Sequence, residues 1–363
     1  MRGAVLVDAR PLQGPSAVRG IGTYVRGLLG GLERSSPRLE LTVLLDAGLP
    51  APALGTRFKA HEVRHRYHGR LAGYEDAVVL PADLDRIRPA VFHATSLSLP
   101  SRAPCPVVAT CHDLIPWTWG SFRMAGERVR YYPGKRLLRR AEAVIAVSEA
   151  VASEAVKRAR VEQARLRVIA EGVEPAFHAA EGAESRVASR WGLQPGYFLY
   201  VGALDRRKDP VGLVRAWRTA LRAGAEAELV IAGEPGPQAP GRMGGARLLG
   251  RVTDEELADL YRAAACLLYP SRAEGFGLTV LEAMACGCPV VAYDTPAVAE
   301  LAAGAAALVP VDSSPLLGRQ AAALASDPER RSAAVAAGRK RAALFSWEGA
   351  AAATARVYKE VAG

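Results

Sequence analysis

Glu274-Gly275-Phe276-Gly277-Leu278-Thr279-Val280-Leu281-Glu282, running on into Ala283-Met284-Ala285-Cys286-Gly287, is the stretch whose reading decides the fold. Ahead of it, Cys266-Leu267-Leu268-Tyr269-Pro270 is a short apolar run stopped by proline, which predicts a buried strand. Behind the glycines, Leu278 to Ala285 predicts a helix. Glu274 then sits on the loop before that helix, and Glu282 lies one to two turns inside it. Gly275 and Gly277 let the backbone approach a ligand closely, and the free N–H groups of a helix start attract an anion. Taken singly, Glu274 reads as a helix-capping acid and Glu282 as part of a solvated helix face. The ordered combination of strand, proline, Glu, Gly-Phe-Gly, helix and second Glu is harder to reduce to those two readings.

The same rhythm runs through the whole chain. In the first half, strands are expected at Ala4–Asp8, Leu39–Leu45, Val91–Ala94, Val107–Cys111, Ala143–Val147 and Arg167–Ala170, with helical stretches such as Thr23–Leu32 and Glu149–Arg160 between them. In the second half they are expected at Tyr197–Val201, Leu229–Ala232, Arg247–Leu249, Cys266–Tyr269, Val290–Tyr293 and Ala307–Val309. Alternating strands and helices mean parallel sheets covered on both faces. At 363 residues the chain exceeds one ordinary core. The polar, Ala/Glu-rich stretch after Glu171-Gly172-Val173-Glu174-Pro175 marks a boundary, giving domains at 1–172 and 196–346 with 173–195 as linker. Ligands of open α/β sheets bind beyond the carboxyl ends of the strands, so the site is expected in the cleft between two such sheets.

Composition narrows the class. Half the residues are hydrophobic and no apolar run reaches the ~20 residues needed to span a bilayer. The N-terminal run reaches Asp8 too soon for a signal peptide. Five cysteines, Cys105, Cys111, Cys266, Cys286 and Cys288, form no even framework, and Cys286-Gly287-Cys288 lacks the spacing of a zinc or thioredoxin motif. A reducing cytosol is the expected compartment. The net charge of +10 favours an anionic partner without choosing one, and no nucleic-acid-binding module is present.

The Glu274–Glu282 stretch resembles the paired-glutamate signature of retaining nucleotide-sugar glycosyltransferases of family 4. The resemblance covers nearly the whole chain. It implies the GT-B fold: α/β, with two Rossmann-like, doubly wound parallel-sheet domains facing across a cleft. A C-terminal helix, here 347–363, would pack back on the first domain. The resemblance places Glu274 at the transferred sugar and Glu282 on the ribose. The backbone of Gly275, Phe276, Gly277, Leu278 and Thr279 would meet the sugar or diphosphate. It carries a sugar- or phosphate-contacting role to His112, in Thr110-Cys111-His112-Asp113-Leu114-Ile115-Pro116, with Asp113 as the carboxylate that orients it. Gly20-Ile21-Gly22 becomes a phosphate-facing loop, although a Gly pair before a helix is by itself only a turn signal. Ser148 reads equally as a helix N-cap or a ligand contact.

After the glycine turn at Gly202 come Arg206, Arg207 and Lys208, cations that suit a diphosphate. Many family members carry Arg directly after this glycine, where this chain has Ala203. Some place Arg just before the Lys, which matches Arg207 and leaves Arg206 as the rival. Gly250-Arg251-Val252 resembles the loop that holds the nucleobase by main-chain contacts. Glu300 falls at a common family position, and a surface helix acid is the simpler reading.

Three further signals need weighing. His61-Glu62-Val63-Arg64-His65 spells the zinc-protease pentapeptide, which works only on a helix, whereas the local alternation, through Tyr67, is strand-like. His68 nearby leaves adventitious metal binding open. Asp83-Leu84-Asp85 is spaced like a metal-binding acid pair, but acids just after Pro81 are ordinary at a helix start. No metal is therefore required. Between 117 and 140, basic residues mix with Trp117, Trp119, Phe122, Tyr131 and Tyr132. That mixture suits an anionic membrane surface as well as a solvated basic helix.

The resulting expectation is a cytoplasmic, metal-independent, retaining glycosyltransferase, peripheral at the inner face of the membrane if 117–140 makes that contact. Its donor is a nucleotide diphosphate sugar, GDP-mannose first and a UDP-hexose next. Its acceptor is a glycan or a lipid-linked hydroxyl, and no nucleic acid is involved. The pattern around His112 and Arg207-Lys208 looks most like mannosyltransferases of polysaccharide assembly. A sugar-nucleotide epimerase on the same fold is the alternative enzyme. A zinc protease and a non-catalytic scaffold are the remaining readings.

Overall fold

A computed structural model describes residues 3–14, 17, 20–55, 57–64, 71–119, 124–234 and 244–363. They fall into two compact units, one of residues 1–172 with 346–363 and the other of residues 173–345.

The first unit is a seven-stranded parallel sheet in the order β3-β2-β1-β4-β5-β6-β7. Its strands are β1 (Val5–Asp8), β2 (Leu41–Asp46), β3 (Lys59–Val63), β4 (Val91–Ala94), β5 (Val107–Cys111), β6 (Ala143–Ala146) and β7 (Leu166–Val168). Its helices are α1 (Gly20–Ser35), α2 (Ala72–Ile87), α3 (Ile115–Thr118), α4 (Ala125–Leu138) and α5 (Glu149–Glu154), the last continued by a π-turn at Ala155–Ala159. Strands β1, β4, β5 and β6 are buried along their whole length, which explains why apolar residues dominate them, with Asp8, His93 and Thr110 as the polar exceptions.

Strand β3 was not in the expected set. It is an edge strand whose Lys59 and Ala60 are exposed, so it carries no apolar run to read. It contains His61 and Glu62, which puts the start of the zinc-protease pentapeptide on a strand. His65, Tyr67 and His68 lie outside the described residues, as does Phe122. Pro81 lies within α2 rather than at its start, so Asp83 and Asp85 belong to its last turns. Each faces an arginine, Arg86 at 2.8 Å and Arg102 at 2.7 Å.

The second unit is a six-stranded parallel sheet in the order β10-β9-β8-β11-β12-β13. Its strands are β8 (Phe198–Val201), β9 (Leu229–Ala232), β10 (Arg247–Gly250), β11 (Cys266–Tyr269), β12 (Val290–Tyr293) and β13 (Ala307–Val309). The helices are α6 (Ala183–Trp191), α7 (Pro210–Arg222), α8 (Asp254–Ala263), α9 (Leu278–Cys286), α10 (Pro296–Ala302), α11 (Ser314–Ser326) and α12 (Pro328–Ala342). Helix α6 lies within 173–195, the stretch expected to be a linker, and it is part of this unit. It buries Ala183 and Val187, one helical turn apart, and Arg186 forks onto Asp259 of α8 at 2.6 and 2.7 Å.

The last helix, α13 (Trp347–Ala362), belongs to the first unit. Glycines make room for it. A Cβ at Gly27 would lie 2.1 Å from the Trp347 indole, one at Gly31 2.4 Å from the Trp347 carbonyl, and one at Gly172 2.2 Å from the Trp347 nitrogen. A buried polar chain joins it to the sheet. Tyr358 meets His93 Nδ1 at 2.6 Å, His93 Nε2 meets Thr110 at 2.8 Å, and Thr110 meets the Tyr24 hydroxyl at 2.9 Å. Burial, reinforced by His112, pushes the His93 imidazole down to about 3. His93 is therefore neutral, with one ring nitrogen donating and the other accepting. Gly27→Ala should cost about 1–3 kcal/mol through overpacking. That would lower the melting temperature by roughly 3–10 °C in circular dichroism. Gly14→Ala, where a Cβ meets nothing within 4 Å, should leave it unchanged.

Candidate active site

Three neighbouring strands of the second sheet end in glycines. Gly202 follows β8 with φ 127°, Gly233 follows β9 with φ 147°, and Gly250 closes β10 with φ 71°. A Cβ at Gly233 would stand 2.2 Å from the Gly202 carbonyl oxygen, and the Gly233 amide donates to the Gly250 carbonyl at 2.8 Å. The carboxyl edge of the sheet is thus bare backbone where ligands of such sheets bind. Sequence reading singled out Gly202 and Gly250 but missed Gly233. Its signal was available, because Ala232-Gly233 ends a strand just as Val201-Gly202 does.

Past Gly202 the chain turns through Arg206, Arg207 and Lys208 into α7. The side chain of Asp209, at φ 46°, caps that helix by accepting from the Gly212 amide at 2.9 Å. Tyr293 and Arg272 hold its other oxygen, each at 3.0 Å. This fixes the direction of Lys208, whose ammonium is buried against the Tyr269 hydroxyl at 2.7 Å and Glu274 at 2.5 Å. Arg207 donates to the same Glu274 oxygen at 2.9 Å and to the Ala273 carbonyl at 2.7 Å. The Ser271 hydroxyl also donates to Glu274. The choice between Arg206 and Arg207 is therefore geometric. Arg206 is exposed, and Arg207 turns inward to the glutamate. Burial raises the Glu274 carboxyl, but the charges of Lys208 and Arg207 outweigh it and hold the group down to about 2. Burial lowers the Lys208 ammonium despite its carboxylate neighbour. Sequence reading placed Tyr269 in the strand without a site role and did not name Ser271; the two bracket Pro270 at the end of β11.

Helix α9 starts where expected. Gly277 caps it at φ 109°, leaving the first-turn amides of Leu278 and Thr279 outside the helical ladder. Gly275 and Phe276 are buried, and Phe276 packs edge-on against Phe345 with centroids 6.0 Å apart. Glu282, in the second turn, accepts from the Tyr261 hydroxyl at 3.1 Å. At the far edge, exposed Arg251 stands 3.5 Å from Glu234, and Val252 is half-buried.

In the first unit His112 lies just past the carboxyl end of β5. Its Nδ1 faces Glu171 at 3.2 Å, its Nε2 faces the Thr95 carbonyl at 2.9 Å, and the Tyr24 ring packs edge-on at 4.6 Å. Both ring nitrogens meet acceptors. The expected orienting role of Asp113 is corrected, since Asp113 accepts from the Ile115 amide at 2.9 Å and starts α3. The carboxylate at the imidazole is Glu171, 59 residues downstream and nearly buried. Ser148 caps α5 by accepting from Val151 at 3.2 Å. Gly20 and Gly22 are not in a loop. They occupy the first turn of α1, Gly20 exposed and Gly22 buried.

Residues 18–177 match the family model described as Glycosyltransferase Family 4, and residues 183–341 match Glycosyl transferases group 1. The D-inositol 3-phosphate glycosyltransferase of Frankia alni is 30% identical over 294 residues, covering 73% of this chain and 70% of that protein. The chain is a family 4, group 1 glycosyltransferase. This glycosyltransferase is also 29% identical over 283 residues to the O-antigen chain mannosyltransferase B of Escherichia coli, covering 74% of each. Sucrose-phosphate synthase from Thermosynechococcus elongatus shares the GT-B fold, with a TM-score of 0.80, 22% identity and 99% of both chains covered.

The Glu274 cluster has a pH signature. Its carboxyl is held below the ordinary 4.5, at about 2. The stability it contributes is present above 4.5 and is lost as pH falls through 2. Glu274→Gln leaves two cations without their carboxylate and should cost about 3 kcal/mol at pH 7. In thermal melts, the gap between wild type and variant should close as pH falls from about 5 towards 2.

Proposed function

We propose that the glycosyltransferase takes mannose from GDP-mannose, with a UDP-hexose the next donor in line, and moves it to a hydroxyl of a glycan or lipid-linked acceptor. The observation that carries this reading is the buried cluster of Lys208, Arg207 and Glu274 just ahead of the α9 start. The cluster fixes two cations on Glu274, with Asp205 3.9 Å from Arg207, and fixed cations at a strand end suit a ligand that arrives as a diphosphate. The mannose preference rests on the likeness to the O-antigen chain mannosyltransferase. Likeness to D-inositol 3-phosphate glycosyltransferases favours a phosphorylated polyol as the second acceptor class.

In this reading Lys208 and Arg207 bind the diphosphate, and the Gly275–Thr279 backbone offers amides to it. Glu282 takes the ribose, and main chain around Gly202, Gly250, Arg251 and Val252 takes the base. Glu274 turns one oxygen to the transferred sugar. His112, with the α1 amides at Gly20 and Gly22, is the ligand-contacting group of the first unit. Configuration is retained by front-face substitution. The bond from the anomeric carbon to the phosphate oxygen breaks and leaves its electrons on the diphosphate. The acceptor oxygen bonds to the same face, and its proton passes to the departing phosphate. Fixed cations stabilise the charge that grows on that phosphate, so the reaction is metal-independent. We place the enzyme in the cytoplasm, at the inner face of the membrane.

GDP at about 100 times its Kd should stabilise the protein by about 2.7 kcal/mol, a melting shift of roughly 5–10 °C. The shift should persist in EDTA and disappear in Lys208→Ala and Glu282→Ala. A response to UDP alone would move the donor to a UDP-hexose. No response to GDP, UDP or ADP would overturn the nucleotide-sugar reading.

A further inference from the structure

Helix α2 is built inside out. Four of its outward positions, Leu71 at the N-cap, Tyr74, Val78 and Ala82, lie along one face and are apolar, and exposed Arg86 ends that row with a cation. Val78 is 75% exposed, Leu71 53% and Tyr74 43%. The first-turn carboxylates face inward instead. Glu75 and Asp76 are buried, and Asp76 accepts from Arg10 at 2.6 Å. A helix that faces only water shows the reverse pattern.

Helix α4 extends the same surface. It crosses α2 so closely that a Cβ on Gly73 would lie 2.1 Å from the Arg130 carbonyl. Tyr74 follows Gly73 on one helix, and exposed Val129 and Tyr132 flank Arg130 on the other. Further along α4 the outward face turns cationic. Arg136 donates to the Tyr132 hydroxyl at 3.3 Å and stacks on its ring, and Arg139 and Arg140 are exposed beyond it. Between 125 and 140 there are six Lys/Arg against the single acid Glu127.

We infer that this face docks on an anionic lipid bilayer. Leu71, Tyr74, Val78 and Val129 enter the headgroup boundary, Tyr132 sits at the interface, and Arg136, Arg139 and Arg140 meet headgroup phosphates. An apolar row beside a cationic end is the pattern of a surface that lies on a membrane. A second copy of the chain fits less well, because a two-fold contact would bring two arginine clusters together. No described helix is long and apolar enough to cross a membrane, so the contact is peripheral. The inference rests on the proposed function only for its purpose, bringing the enzyme to a lipid-linked acceptor. The docking itself depends on neither donor nor acceptor.

The full chain is sedimented with phosphatidylcholine vesicles, with and without phosphatidylglycerol, at low and high salt. Wild type should pellet with the phosphatidylglycerol vesicles and be weakened by salt. The triple variant Arg136→Gln, Arg139→Gln, Arg140→Gln should bind about 100-fold more weakly, near fivefold per cation. Leu71→Gln with Val78→Gln, at positions exposed in the folded chain, should abolish the binding that salt leaves behind. The nucleotide melting shift of each variant should match wild type, which shows that the variants fold. Lack of wild-type binding to phosphatidylglycerol vesicles, or wild-type binding by both variants, overturns the docking. A lipid-free dimer that Leu71→Gln with Val78→Gln dissolves would assign the face to a second copy and also overturn it. Lipid binding without any nucleotide shift would sink the donor reading and leave the docking standing.

Discussion

One carboxylate oxygen, Oε1 of Glu274, accepts from Lys208, Arg207 and Ser271. Buried cations are costly unless paired, and here the pairing draws together the loop after β8 and the loop after β11. The rest of the candidate site depends on that constraint. Lys208 can point inward because Asp209 takes a left-handed backbone conformation and is held by Tyr293, Arg272 and the Gly212 amide. Two fixed cations, Lys208 and Arg207, stand beside Glu274, with Asp205 3.9 Å from Arg207, at the edge of a sheet whose strand ends are bare glycine backbone. Charge, exposed amides and absence of side chains are the three requirements for holding a phosphate.

The first unit rests on close approach rather than on charge. Helix α13 reaches the sheet only because Gly27, Gly31 and Gly172 lack a Cβ where Trp347 passes. Tyr358 then enters a buried chain of hydroxyls and a neutral imidazole that ends at Tyr24. The Tyr24 ring is also the edge against which His112 packs. The chain's C-terminal segment therefore helps to set the surroundings of the one imidazole that sequence reading marked as functional.

Legibility tracked burial. Strands buried on both faces, such as β1, β5 and β11, stood out as apolar runs, because a buried position favours apolar side chains and admits a polar one, such as Thr110, only with a partner. Edge strand β3 and the half-solvated α6 carry ordinary polar residues and were passed over or read as linker. Local motifs placed Glu274, Glu282, Lys208 and the α9 start correctly in the chain. Sequence neighbours misled at Asp113, where adjacency to His112 suggested a contact that Glu171 makes from another strand end.

By itself the sequence determined the alternation of strands and helices, the family, and the residues at the carboxyl ends of the strands, because periodicity, glycines and proline act over a few residues. Tertiary structure decided which of two adjacent arginines turns to Glu274, which carboxylate faces His112, and which residues of α2 meet water. Those outcomes depend on distances between segments 59 or more positions apart, as between His112 and Glu171, Arg207 and Glu274, or Arg10 and Asp76. Only the packed chain sets such distances.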